Sequence, residues 1–175
     1  IEKEIGSIDI LVNNAGIQRR MPLLEVPASV WREIVDHDLT SAFLVGRAVA
    51  RRMVSRKRGK IINICSIASE LGRPTIAPYT AAERGLKMLT KAMCCEWAGH
   101  NMQVNAIGPG YFTTQMNRPL FEDRVFNDWV RARTPAARWG DPVELIGTAV
   151  FLASSASDYV NGQLIFVDGG LTASV

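Results

Sequence analysis

Ser66 and Tyr79 set a hydroxyl and a phenol thirteen positions apart, two groups that exchange hydrogen bonds and, in the case of the phenol, can pass a proton. Ser66 follows the apolar run Ile61-Ile62-Asn63-Ile64-Cys65, which reads as a buried strand. Open α/β sheets carry their chemistry just beyond the carboxyl ends of strands, so Ser66 is expected to face a crevice. Pro74 and Pro78 break the loop that follows. Leu86, Leu89, Met93 and Trp97 then recur at helical spacing, which puts Tyr79 in the first turn of a long helix. Glu83 stands four residues on and shares the helical face of Tyr79. A carboxylate there opposes ionisation of the phenol; at about 5 Å and an effective dielectric near 20 the repulsion is worth roughly 3 kcal/mol. Arg84 has rotated about 140° off that face and does not offset it.

The elements that must position these groups follow in order. Glu2 to Gly6 read as the tail of a helix closed by a glycine, and Ile8 to Val12 as a strand. Asn13-Asn14-Ala15-Gly16 stands at its carboxyl end, where amide side chains tie down the backbone and small residues allow a ligand to approach. From Pro27 a long helix is expected to about Ser55, with Trp31, Ile34, Val35, Leu39, Phe43, Leu44 and Ala48 marking its apolar faces. It carries His37, read as a surface or packing residue rather than a catalytic one, and Asp38. Met102 to Ile107 is the next buried strand and runs into Gly108-Pro109-Gly110. Residues 113–137 are polar, aromatic and weakly periodic, as in a lid, and Arg118 and Arg124 within them read equally as facing an anionic substrate or as solvated lid residues. Asp141 opens a helix with Pro142 at its first position and Val143, Ile146, Ala149, Val150 and Leu152 as its apolar face. Gln163 to Asp168 is the last strand, closed by Gly169-Gly170.

In this order the landmarks resemble the short-chain dehydrogenase/reductase family. Its signature is a serine, a tyrosine thirteen residues later and a lysine four beyond that; Ser66 and Tyr79 match, and Glu83 stands at the lysine position. N-N-A-G at 13–16, V-N-A-I-x-P-G at 104–110 and the closing D-G-G at 168–170 match as well, whereas Asp38 occupies a position that the family fills with asparagine. The resemblance spans residues 5–170 and implies an α/β fold, a Rossmann-like doubly wound parallel sheet, in a single domain over 1–175. The runs N-I-C-S, S-E-L-G-R, P-G-Y-F-T-T and T-P-A-A-R-W-G-D-P narrow it to gluconate 5-dehydrogenase-like members. That implies interconversion of a hydroxyl and a ketone on a sugar acid or polyol with NAD or NADP. Ser66 would hold the carbonyl oxygen and Tyr79 would pass the proton, with Glu83 and Asp38 at the two remaining catalytic positions. Asn13, Ala15, Gly16, Tyr79, Pro109, Gly110, Phe112 and Thr114 would contact the cofactor. The long helices near 28–55 and 79–99 and the last helix and strand would build a homo-oligomer, a dimer or tetramer.

The resemblance is incomplete. No G-x-x-x-G-x-G loop occurs in the 175 residues, and the chain reads as the last four strands of a seven-stranded sheet, with the first three missing. Ile8 to Val12 would then be a bare edge, which implies a piece of a longer protein or an edge paired with another chain. Glu83 and Asp38 together remove a cation and add two anions, so an impaired dehydrogenase is expected; the alternative is a non-catalytic homologue acting as an oligomeric or interaction module. The two carboxylates are not spaced as a recognisable metal motif, and no metal is expected.

Composition sets the outer bounds. With 175 residues, 47% hydrophobic and 21% charged, the chain can bury one real core. Arg51-Arg52 and Arg56-Lys57-Arg58 read as a solvated helix C-terminus favoured by the helix dipole rather than as a nucleic-acid patch. Cys65, Cys94 and Cys95, an odd number within apolar patterns, read as buried thiols of a reducing compartment. No run of eighteen apolar residues and no signal peptide is visible, so a cytoplasmic location without a membrane partner is expected.

Overall fold

The computed structural model describes residues 4–174. The expected helix tail at Glu2 and Lys3 lies outside them; Glu4 and Ile5 form a turn ahead of Gly6, whose φ is 128°. Four strands, β1 (Ile10–Asn13), β2 (Gly59–Ile64), β3 (Met102–Pro109) and β4 (Leu164–Val167), form one parallel sheet in chain order. Parallel neighbours need a crossover on a face, and six helices stand between the strands: α1 (Ala28–Val35), α2 (Ser41–Arg56), α3 (Ala77–Trp97), α4 (Arg118–Phe121), α5 (Arg124–Arg133) and α6 (Ile146–Ala153). Ala50 and Met53 of α2 and Met93 of α3 pack with Ile61, Met102 and Val104 on one face. Leu152 of α6 packs with Ile62 and Ile107 on the other, so the sheet is doubly wound. Met102 to Gly108 are buried without a break, the pattern of a strand covered on both faces.

Three readings of the sequence are corrected. The long helix from Pro27 is divided by a π-helical turn, Asp36–Thr40, that joins α1 to α2; Asp38 in this wider turn is buried. The sheet-facing stripe near α6 is Leu145, Ala149, Leu152 and Ala153, at spacings of three and four, and not the Val143, Ile146 and Val150 series, which is exposed. Of the cysteines only Cys65 is buried; Cys94 is half-buried and Cys95 faces outward from α3. The expectation of a bare edge holds among the described residues, because Ile10 and Val12 are 45% and 49% exposed on β1.

A chain of polar groups, half-buried at Asn13 and fully buried at Asn63 and Thr90, crosses the layers. Asn13 Nδ2 donates to Asn63 Oδ1 at 2.8 Å, Asn63 Nδ2 to Thr90 Oγ1 at 2.8 Å, and Thr90 Oγ1 to the Leu86 carbonyl at 2.9 Å. Asn13 and Asn63 are also register partners, so the amide pair locks β1 to β2 and both to α3. Asn63→Ala strips a partner from Asn13 and from Thr90 and is expected to lower stability by roughly 2–4 kcal/mol. Urea denaturation checks this; a loss under about 0.5 kcal/mol would contradict the role given to Asn63.

Candidate active site

The carboxyl ends of β1, β2 and β3 open into one cavity of about 640 Å³, a size suited to a small molecule. Ser66 enters it because β2 ends in a tight 3-10 turn, Ile67–Ser69, which Ser66 caps by accepting the Ala68 N–H at 3.1 Å. That bond uses a lone pair and leaves the Ser66 O–H to donate elsewhere. Tyr79 lies in the first turn of α3, just after Pro78, whose missing N–H costs nothing there. The 66–79 loop is held at both ends: Arg84 Nη1 donates to the Ser69 carbonyl at 2.8 Å, Arg84 and Lys87 both pair with Glu70, and Thr75 accepts the Met21 N–H at 3.0 Å.

Behind Tyr79 the wall is acidic. Glu83 is 4% exposed and Asp38 is 2% exposed. Gly85 lets the π-helical turn approach α3, since a Cβ there would come within 2.8 Å of Leu39 Cδ2. Asp38 Oδ1 accepts the Ile17 N–H at 2.8 Å and so steadies the loop after Gly16, while Asp38 Oδ2 and Glu83 Oε2 are buried without a hydrogen-bond partner. Burial raises Asp38 to about 6. Burial, and then repulsion from Asp38, raises Glu83 to about 8. Burial first and Glu83 second push the Tyr79 phenol well above its ordinary value, with Ser66 opposing the rise.

Most of the residues expected from the sequence meet in this cavity: Ala15, Gly16, Ser66, Tyr79, Glu83, Pro109, Gly110, Phe112 and Thr114 all line it. Asn13 does not; its amide is turned to Asn63, and its neighbour Asn14 faces the cavity instead. Asp38 stands behind the lining rather than in it. Arg118 and Arg124 are outside, solvated and set against Glu122 and Asp128 one helical turn away at 2.8 and 3.9 Å. The arginines that do line the cavity are Arg20, Arg73 and Arg133. Arg133 is engaged by Ser174, at 2.9 Å to its carbonyl. Arg73 donates to Tyr111 Oη at 3.3 Å and lies 4.9 Å over the Phe126 ring. Arg20 is close enough to Arg73 to be repelled by it, and neither has an acidic partner among the described residues. A signal for both was present: Arg73 falls between Ser66 and Tyr79, and Arg20 four residues after Gly16. The lid is more ordered than its sequence implied. Asp123 caps α5 through the Val125 N–H at 2.9 Å, and Tyr111 packs edge-on against Phe126, Trp129 and Trp139. Among the described residues no group of three His, Cys, Asp or Glu could hold a metal ion, and no helix is long and apolar enough to cross a membrane.

Residues 1–172 match the family model described as enoyl-(acyl carrier protein) reductase. The 5-keto-D-gluconate 5-reductase of Escherichia coli K12 is 61% identical over 175 residues, covering 100% of this chain and 69% of its own length. The gluconate 5-dehydrogenase of Gluconobacter oxydans is 54% identical, over 100% of this chain and 68% of its own. A crystal structure of a gluconate 5-dehydrogenase from Burkholderia cenocepacia, in complex with NADP and tartrate, superposes with a TM-score of 0.98 at 56% identity, covering 99% of this chain and 68% of that one.

The raised carboxyls give stability a definite pH dependence. Folded Asp38 and Glu83 bind protons more tightly than the unfolded chain does, so stability is greatest near the unfolded carboxyl pKa of about 4 and falls as pH rises through about 6 and about 8. Glu83→Gln is expected to remove roughly 3–5 kcal/mol of that decline, read by urea denaturation across that range. A wild-type stability that rises over the same window would contradict the assignment.

Proposed function

This chain belongs to the short-chain dehydrogenase/reductase family, and from that premise we propose that it interconverts a hydroxyl and a ketone on a sugar acid with NAD or NADP. One observation carries the substrate class: Arg20 and Arg73 bring two guanidinium groups without acidic partners to the cavity that Ser66 and Tyr79 line. A guanidinium binds a carboxylate through paired charge-assisted hydrogen bonds. Relatives named for gluconate chemistry, and one crystallised with tartrate, are consistent with a hydroxy acid as ligand.

The residues present fit a nicotinamide cofactor. Ala15 and Gly16 present almost bare backbone to the cavity, with only Asp38 within 4 Å of a Cβ built at Gly16. Glu83 offers a carboxyl able to accept from ribose hydroxyls, a role that acidic side chains fill in other dinucleotide sites. The nicotinamide, when bound, supplies or accepts the hydride. Ser66 donates its O–H to the carbonyl oxygen, and Tyr79, a neutral phenol, gives that oxygen its proton; in oxidation Tyr79 takes the proton back. Trp129, Met116 and Leu120 form an apolar wall that keeps water from the reacting carbon. Exposed Phe43, Leu44 and Val45 on α2 support a homo-oligomer built on the long helices.

Because the acidic wall disfavours tyrosinate, oxidation is the slowed direction near neutral pH. The burial of Glu83 against Tyr79 also favours a second reading, a homologue that no longer turns over and persists as an oligomeric or interaction module. Reduction of 5-keto-D-gluconate with NADPH and with NADH separates the two. The first reading predicts turnover that Tyr79→Phe lowers about 100-fold or more. It further predicts that Arg73→Ala raises KM about tenfold or more with a smaller change in kcat. No consumption of either nucleotide favours the second reading, and equal rates on a neutral polyketone would overturn the role given to Arg20 and Arg73.

A further inference from the structure

Among the described residues the wall behind Tyr79 contains two carboxyl groups and no cation to answer them. Every charged or titratable neighbour is otherwise engaged or itself neutral. Lys87 and Arg84, on the same helix, are paired with Glu70. His37 is exposed, its Nδ1 is set against the Glu33 carbonyl at 2.9 Å, and it offsets Asp38 only weakly. Cys65, at the end of β2, has its thiol pushed up by burial and by Glu83 and is neutral. Tyr79 is a neutral phenol, and Arg20 interacts with Arg73, Tyr111 and Tyr79 rather than with either carboxyl. An ionised carboxylate only accepts hydrogen bonds, and here each carboxyl has one buried oxygen with nothing to accept from. Two buried charges in that condition are far costlier than one charge and one acid.

We propose that Asp38 and Glu83 hold one proton between them, and that Glu83, as a neutral carboxylic acid, is the positioning residue and proton reserve for Tyr79. The arrangement rests on three geometric facts: both side chains are almost fully buried, the close contact at Gly85 brings the π-helical turn onto α3, and one oxygen of each carboxyl lacks a partner. Deleting the charge of Asp38 would remove the repulsion that keeps the proton on Glu83. The relay built on this dyad rests on the proposed reduction. When Tyr79 gives its proton to the substrate oxygen, the O–H bond of Glu83 breaks and a new O–H bond forms on the tyrosinate. Glu83 is left as the carboxylate and recovers a proton from solvent. The protons balance, and no redox change occurs in the protein.

The shared proton is testable without turnover, by carbon-13 NMR of the two carboxyl carbons in the full chain as pH is raised. Glu83 is expected to remain protonated past neutrality, with a midpoint near about 8. Asp38→Asn is expected to lower that midpoint by about one unit or more, whereas Glu83→Gln, which preserves shape, is expected to leave the Asp38 midpoint nearly in place, because Glu83 is still neutral while Asp38 ionises. A purely structural role would not move the Glu83 midpoint. Ionisation of both carboxyls in the ordinary range near pH 4, or a Glu83 midpoint indifferent to Asp38→Asn, would overturn the proposal. Absence of 5-keto-D-gluconate reduction alongside the expected shifts would count against the proposed function and leave the dyad standing.

Discussion

The site depends on the amide chain that joins Asn13, Asn63 and Thr90. Each of the three elements it ties contributes one wall of the cavity: β1 runs into Asn14-Ala15-Gly16, β2 into Ser66, and α3 carries Tyr79 and Glu83. Parallel strands have no hairpin to fix their register, so a side-chain pair between register partners does the work that a turn does in an antiparallel sheet. Because Asn63 is fully buried and Asn13 half-buried, and each depends on the other for a hydrogen bond, a slip of one residue would part them together.

Against that satisfied network the acidic wall stands out. Asp38 gives one oxygen to the Ile17 N–H, a structural duty, and has the other unanswered; Glu83 likewise has one oxygen unanswered. Buried polar groups in a folded protein are nearly always paired, so two orphans side by side, next to a tyrosine in an open cavity, mark a place where stability and chemistry pull in different directions. The uncompensated arginines at the mouth have the opposite sign. The cavity is therefore polarised, with Arg20 and Arg73 on one part of its lining and the carboxyls behind Tyr79 on another.

What the sequence made legible follows from what it encodes locally. Strands β2 and β3 are continuous apolar runs ending in turn residues, and the Ser66-to-Tyr79 spacing crosses one strand end and one helix start, both with clear signals. The π-helical turn was invisible because one wide turn leaves the apolar period almost unchanged, yet it decides where Asp38 lies. The stripe around α6 was misread because both candidate stripes are apolar, and only packing chooses between them. Asn13 and Asn14 were indistinguishable in sequence, whereas strand alternation turns one to Asn63 and the other to the cavity. Loop arginines have no periodicity at all. Arg118 and Arg124 could have been set aside through Glu122 and Asp128, acidic residues one helical turn on, but Arg20 and Arg73 emerge only once the loops are folded together.

The central claim is that this cavity binds a nicotinamide nucleotide beside a protonated acidic dyad, and the pH dependence of NADH affinity tests it most directly. NADH is the better probe because it lacks the extra phosphate of NADPH, which itself titrates near pH 6. Fluorescence titration at about pH 6 and about pH 9 brackets ionisation of Glu83, the second step of the dyad. The account predicts saturable binding that weakens about tenfold or more at the higher pH, as a second negative charge forms next to the bound nucleotide. Affinity that is unchanged or tighter at the higher pH, or no saturable binding at either, would contradict it.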